Sequence, residues 1–160
     1  MQKRIKELGR QVEEEAKQRP QALRLLTHPG MGPITALATD VFLGDAHRFA
    51  NGNKVASYIG MIPCEHSSGK RQRLGKLSKE GNALLRYLGT EAVMHAVAKD
   101  PELKRFYRRK LIQKGMGKSR IAAARKLGIR LWIMLRDQID YEEFCRRGKL
   151  RQSGSPCRNA

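Results

Sequence analysis

Two adjacent serines, Ser67 and Ser68, precede a glycine and a run of basic residues in the stretch CEHSSGKRQRLGKLSKEGN, which extends from Cys64 to Asn82. A serine hydroxyl attacks phosphorus when a base removes its proton and when nearby cations stabilise the charge on the phosphoryl oxygens. His66 is the base nearest in sequence. The same serines also suit a turn or a helix cap, so residue chemistry alone leaves both roles open.

The basic residues that follow the serines fit a phosphodiester backbone. Each phosphate neutralised by a cation releases counterions, and the intervening glycines allow the chain to approach a ligand closely. A basic loop of this kind therefore predicts contacts with nucleic acid. The predicted contact residues are Lys70, Arg71, Arg73, Lys76 and Lys79.

The composition of the whole chain favours the same partner. Its 160 residues suit one domain, and 33 Lys and Arg against 15 Asp and Glu give a formal charge of +18. Such a charge calls for a polyanion, with nucleic acid ahead of a membrane surface or an acidic protein. No run approaches the ~20 apolar residues of a membrane-spanning helix and no signal sequence opens the chain, so we expect a cytoplasmic protein.

The sequence predicts no metal site of its own. The carboxylates in the first two thirds of the chain are scattered and do not form the cluster that two-metal phosphoryl transfer needs. Cys64 and His66 resemble one half of a zinc site, but the sequence has no second pair at ligand spacing. The chain also lacks the glycine-rich nucleotide-binding loop that ends in Gly-Lys-Ser/Thr.

The apolar periodicity predicts an all-α fold, because no segment alternates with period two. We expect an amphipathic, coiled-coil-like helix over residues 1–19, a helical domain over 20–140 that ends in one long helix, and a disordered tail over 148–160. The thin apolar stripe of the first helix suits pairing with a second copy, so a homo-oligomer is predicted there.

The segment LLTHPGMGPITALATDV resembles a helix-hairpin-helix motif. The resemblance implies sequence-independent contact with a nucleic-acid backbone through Gly30, Gly32 and Thr35. Glycines in such a turn leave amide hydrogens at a helix N-terminus, where an anion binds. The alternative is a glycine-assisted helix corner without a ligand.

The order of several short motifs resembles the C-terminal domain of insertion-sequence family 110 transposases, the bridge-RNA-guided serine recombinases. The resemblance covers residues 20–100. The matching elements are Leu26, Pro29 to Gly32, Thr35 with Ala36, Arg48 with Phe49, Tyr58 to Pro63, Ser68 with Gly69, Lys79 to Asn82, and Leu85 with Arg86.

This resemblance implies that Ser68 corresponds to the nucleophile, which forms a phosphoserine link to DNA during strand exchange, with Ser67 as the fallback position. It also implies DNA and a guide RNA as partners, and Arg86 as one of the residues that hold them. Family members carry Mg²⁺ on an acidic RNase-H-like domain that precedes this one. We expect no cofactor in this chain itself.

Because that acidic domain is missing from the sequence, we expect a fragment or a truncated reading frame that does not recombine DNA alone. Two further readings remain open. The chain could be a non-catalytic helix-hairpin-helix module that binds DNA or RNA, or an oligomerisation domain that pairs through its first helix.

Overall fold

The computed structural model of the chain describes residues 1–68, 71–78 and 80–153, with the backbone alone for residues 64–68, 71–76 and 151–153. The all-α prediction is confirmed for the body of the protein. The helices are α1 (Gln2–Gln18), α2 (Pro20–Leu26), α3 (Pro33–Leu43), α4 (Gly52–Ile59), α5 (Ala83–Lys99), α6 (Pro101–Lys114), α7 (Met116–Arg136) and α8 (Tyr141–Ser153), with a 3₁₀ turn at Ala46–Arg48.

A two-stranded antiparallel hairpin interrupts the helices. Strand β1 (Pro63–Ser68) pairs with β2 (Arg71–Leu77), and the register shifts between Pro63 and Glu65. The sequence predicts a loop over this stretch, because neither strand shows apolar alternation, and that prediction is wrong. Polar and basic residues predominate in both strands, so the alternation that normally reveals a strand with one buried face is missing.

The helix boundaries follow turn and cap chemistry. Asn51, Asn82 and Asp100 each accept a hydrogen bond from a backbone N–H in the first turn of α4, α5 and α6. Proline opens α2, α3 and α6, where its missing N–H costs no hydrogen bond. The starts of α2 to α6 thus depend on residues whose effect is local in the sequence.

The core surrounds α7. Leu127, Leu131 and Met134 of this helix are buried, and they belong to the same apolar cluster as Leu25 of α2 and Val93 of α5. Trp132 is also buried, and its indole N–H donates to the carbonyl of Ala46 at 2.8 Å. A single core therefore joins the α2–α3 region to the second half of the chain.

The first helix is present as α1 and packs its end onto the body. Ala16 is fully buried, and Arg19 just beyond the helix lies 3.3 Å from Asp40 of α3. Farther toward the N-terminus, Ile5 and Leu8 remain 63% and 52% exposed. The apolar stripe of α1 is thus left open at its outer end.

The predicted long last helix is wrong, because it is divided in two between Arg136 and Tyr141. Gln138 has a φ of 52°, a left-handed conformation that ends α7, and the Asp140 side chain accepts from the N–H of Glu143 at the start of α8. Helix α8 continues to Ser153, so residues 148–153, which were predicted to be disordered, are helical. Pairs of Glu143 with Arg146 and Arg147 stabilise its first turns. Residues 154–160 lie outside the described part of the chain.

Candidate nucleic-acid interface

The turn between α2 and α3 uses its two glycines differently. Gly30 has a φ of 87°, and a Cβ there would lie 2.3 Å from the backbone nitrogen of Ala96 in α5. At Gly32 an added Cβ would meet nothing within 4 Å. Gly30 therefore allows the turn to approach α5, and only Gly32 has open space beside it.

Gly32 precedes an uncapped helix start. It is the N-cap residue of α3, with φ −99° and ψ 167°, and no side chain caps this end. The positive end of the helix dipole and the first-turn amides of Ile34 and Thr35 thus face no side-chain acceptor. Thr35 is half-buried, and its carbonyl accepts a hydrogen bond from the Thr39 hydroxyl at 2.7 Å.

Arg48 and its aromatic neighbours close the other end of α3. Its guanidinium donates to the carbonyls of Leu43 and Phe42, both at 3.1 Å, and it lies 4.5 Å and 4.7 Å from the ring centres of Phe49 and Tyr58. The Tyr58 hydroxyl also donates to the Phe42 carbonyl, at 2.9 Å. This cluster satisfies carbonyls that a helix end leaves without partners. The Arg-Phe motif is thereby explained as a helix cap.

Backbone hydrogen bonds and close glycine contacts attach the base of the hairpin to the helices. The N–H of Ser78 donates to Ile62 at 2.7 Å, and the N–H of Asn82 donates to Tyr58 at 2.8 Å. A Cβ on Gly81 would lie 2.2 Å from the nitrogen of Gly60. Gly81 and Asn82 of the Lys79–Asn82 motif thus meet Tyr58 and Gly60 of the Tyr58–Pro63 motif, on either side of the hairpin.

Arg86 strengthens the same junction. Its Nη1 donates to the carbonyl of Ile59 at 3.3 Å, and the residue is half-buried in α5. The family resemblance predicts that Arg86 contacts nucleic acid, and that role stays a prediction. The structure adds a contact within the fold, which joins the end of α4 to the start of α5.

The strand register determines where the two serines lie in the hairpin. Ser68 is paired with Arg71 and Ser67 with Gln72, next to the connection between the strands. Backbone positions are described for Arg71, Arg73 and Lys76, whereas Lys70 and Lys79 lie outside the described residues. The predicted nucleophile positions and part of the basic run therefore share one ribbon, at the end away from its helical base.

The α2–α3 turn and the hairpin lie at opposite ends of α5. The turn meets this helix at Ala96, whereas the hairpin base meets Asn82 at its N-cap. At 1.5 Å per residue these points are about 20 Å apart. The turn and the hairpin base are thus attached to one helix at points separated by the length of about six base pairs of a duplex.

A buried charged network, which the sequence analysis missed, lies under the turn. Arg130 of α7 pairs with Asp100, which also accepts hydrogen bonds from the N–H of Leu103 at 2.8 Å and from the Tyr141 hydroxyl at 2.9 Å. Arg130 and Asp100 are only 4% and 2% exposed. Arg130 lies within the apolar repeat of α7, and a cation in that position is the one sequence signal that could have revealed the network.

His28 fills the space beside this network. Its Nδ1–H donates to the Pro29 carbonyl at 2.9 Å, and its ring contacts that of Tyr141 edge-on, with centroids 4.6 Å apart. Burial lowers the pKa of His28 to about 4, and the charge of Arg130 acts in the same direction. His28 is therefore neutral near pH 7 and packs the turn against α8.

Within residues 1–68, 71–78 and 80–153, no three His, Cys, Asp or Glu side chains come together as ligands for a metal ion. The described residues thus offer no ligand set for the Mg²⁺ that the family resemblance places on a separate acidic domain. Among the same residues, no helix has the length and apolar character needed to cross a bilayer.

Comparison with known proteins identifies the family. The model of the Transposase IS116/IS110/IS902 family matches residues 22–108, just over half of the chain. The chain belongs to this family. The matched range contains the α2–α3 turn, the Arg48 cluster, the hairpin and α5, so the family region coincides with the elements that the motifs join.

Individual relatives of the IS116/IS110/IS902 family agree with this assignment. A protein named probable family 20 transposase from Pseudomonas aeruginosa is 34% identical over 142 residues, which cover 86% of this chain and 42% of that protein. The transposase for insertion sequence element IS1111A from Coxiella burnetii is 33% identical over 130 residues, 79% of this chain and 36% of the relative. The chain thus spans less than half the length of either relative.

Proposed function

We propose that this chain is the nucleic-acid-binding, serine-bearing C-terminal domain of a DNA transposase, and that it acts in strand exchange through a phosphoserine link to DNA. The observation that carries the proposal is the position of Ser67 and Ser68 on a ribbon of basic sequence that a helical body anchors at its base. Membership of a transposase family supports DNA as the substrate.

In the proposed step the Ser68 oxygen attacks a backbone phosphorus. A P–O bond to serine forms as the bond to the leaving sugar oxygen breaks, and that oxygen departs as a hydroxyl after gaining a proton. The serine proton passes to a general base, for which His66 is the nearest candidate in sequence. Cations of the ribbon would stabilise the charge that develops on the phosphoryl oxygens.

The α2–α3 turn would hold the same DNA by its backbone. The start of α3 at Gly32, which no side chain caps, would supply the phosphate site of a helix-hairpin-helix motif. Its separation of about 20 Å from the hairpin base along α5 matches two contacts on one extended polyanion. A guide RNA is a second proposed partner, on the family resemblance alone, and an acidic metal-binding domain would be required for recombination.

Trapping a covalent intermediate tests the serine assignment. The chain, joined to or mixed with the acidic domain and guide RNA, is incubated with a nicked DNA substrate and analysed under denaturing conditions. We expect a protein–DNA adduct with the unmodified chain and with Ser67→Ala, and loss of the adduct with Ser68→Ala. An adduct that survives Ser68→Ala would reject this residue as the nucleophile.

The exposed stripe of α1 supports a second proposal, self-association. Ile5 and Leu8 are 63% and 52% exposed on a helix whose other end packs onto the body. We expect Ile5→Glu with Leu8→Glu to convert an oligomer to a monomer in sedimentation, because the charges would lie in the buried seam. Lys3→Glu with Lys6→Glu, which changes charge but leaves the apolar stripe intact, serves as the control. A monomeric unmodified chain, or equal effects of both pairs, would exclude pairing through this stripe.

A further inference from the structure

A long groove lies between α6, α7 and α8, apart from the α2–α3 turn. Its volume is about 1580 Å³, and Pro63 and Leu77 at the base of the hairpin line one part of it. Pockets for small molecules usually occupy about 300–1,000 Å³, so this space suits an extended ligand. The hairpin base thus connects the groove with the ribbon that carries the serines.

The walls of the groove are strongly basic. The two carboxylates that line it are already in ion pairs. Asp100 pairs with Arg130, and Glu102 pairs with Lys126 at 2.8 Å. No ion pair is found, within the described part of the chain, for four other lining cations. These are Arg105, Lys110, Lys114 and Lys118. The walls therefore keep an excess of positive charge that an anionic ligand would neutralise.

The floor of the groove is apolar. Half-buried isoleucines of α7 lie along this floor, together with one phenylalanine from α6 and one from α8. These residues are Ile121, Ile129, Ile133, Phe106 and Phe144. A basic rim over an apolar and aromatic floor is the arrangement that binds unpaired nucleotides, since bases stack on the floor while phosphates meet the cations.

We propose that this groove binds a single-stranded segment of nucleic acid. A duplex presents phosphates but hides the faces of its bases, so it would leave the apolar floor unused. The proposal rests on the nucleic-acid-binding part of the proposed function and does not depend on the serine chemistry. A strand in the groove would pass the hairpin base, which places an unpaired segment next to the anchored ribbon.

Binding of a labelled oligothymidylate of about 12 nucleotides, a length within the usual footprint of such sites, tests this inference. We expect Lys114→Gln with Lys118→Gln to weaken binding about tenfold near 0.1 M salt and to reduce the slope of log affinity against log salt by about 1.4. The matched control is Lys104→Gln with Arg108→Gln, which removes the same charge from exposed positions of α6 that do not line the groove. It should leave affinity within about twofold, because no groove phosphate is lost.

A second variant separates the groove from general charge. Ile121→Glu places a carboxylate on the floor and should weaken oligothymidylate binding at least as much, while affinity for a duplex of equal length changes little. Circular dichroism confirms that each variant is folded. Equal losses in the groove and control pairs, an equal loss for duplex, or salt-independent capture of an acidic amphipathic helix in place of the oligonucleotide would overturn the proposal.

Ser68→Ala should abolish the covalent adduct and leave oligothymidylate affinity unchanged. Unchanged oligothymidylate binding in the Lys114→Gln, Lys118→Gln variant would reject the groove even if the adduct forms.

Discussion

Replacement of Gly30 by alanine is expected to lower the free energy of unfolding by about 3 kcal/mol. The new Cβ would lie 2.3 Å from the nitrogen and 2.7 Å from the Cα of Ala96, and the residue would keep a left-handed φ of 87°. Both neighbours are backbone atoms of a packed helix, so neither moves without displacing α5 from the core. Denaturant unfolding followed by circular dichroism measures the change.

Gly32→Ala is the matched control, two residues along the same turn. With no atom within 4 Å of its Cβ and an ordinary φ, it should change stability by less than about 1 kcal/mol. We expect it to reduce DNA affinity several-fold, because the methyl group would stand where the proposed phosphate approaches. Equal stability losses for the two variants would show that the packing of Gly30 against α5 is not the cause.

Asp100→Ala is expected to destabilise the protein by about 3 kcal/mol, because it removes the buried counter-ion of Arg130 and leaves only Glu102, a more exposed carboxylate 2.7 Å from the Arg130 Nη2. The N–H of Leu103 and the Tyr141 hydroxyl also lose their acceptor. Combining Asp100→Ala with Arg130→Met removes both charges and should recover part of the loss. Thermal and denaturant unfolding compare the three variants.

The exposed pair of Glu91 and Arg120 provides the control for this prediction. Glu91→Gln removes an ion pair of 2.7 Å in which the side chains are 58% and 39% exposed, and it should cost about 0–1 kcal/mol. A loss at Asp100 as small as the one at Glu91 would contradict the claim that the network beneath the turn holds the fold together.

Lowering the pH should reproduce part of the destabilisation expected for Asp100→Ala. Burial acts to raise the pKa of this carboxyl, but the Leu103 hydrogen bond and the charge of Arg130 outweigh it and hold the pKa below the ordinary 3.8. A carboxyl whose pKa is lower in the folded than in the unfolded state stabilises the fold at pH values above its unfolded pKa. This contribution is lost as the pH falls through the folded pKa. The stability advantage over Asp100→Asn should therefore shrink below about pH 4.

The sequence predicts the helical elements well because their ends depend on local chemistry. Pro20, Pro33 and Asp100 act on their own neighbours, so the boundaries they set follow from spacing alone. The same is true of the glycine turn, whose existence was expected. That Gly30 packs against a distant helix while Gly32 stays open depends on tertiary contact, which spacing does not contain.

Features that depend on tertiary contact, or that lack the usual sequence signal, were not predicted. The two strands of the hairpin are mostly polar and basic in sequence, so they lack the apolar alternation that predicts a strand. The groove joins residues of three helices, and the Asp100–Arg130 pair joins the start of α6 to α7, so neither follows from spacing within one helix. The break at Gln138 occurs without glycine or proline, the residues that usually mark such a point.

Helix α5 also acts as a spacer of fixed length and phase. The turn at Ala96 and the hairpin at Asn82 are attached to one continuous helix, so each residue inserted or removed between them would shift their separation by 1.5 Å and rotate one about the other by about 100°. Substitutions on its exposed face leave this geometry unchanged. The number of residues in α5 is therefore constrained more strictly than their identity.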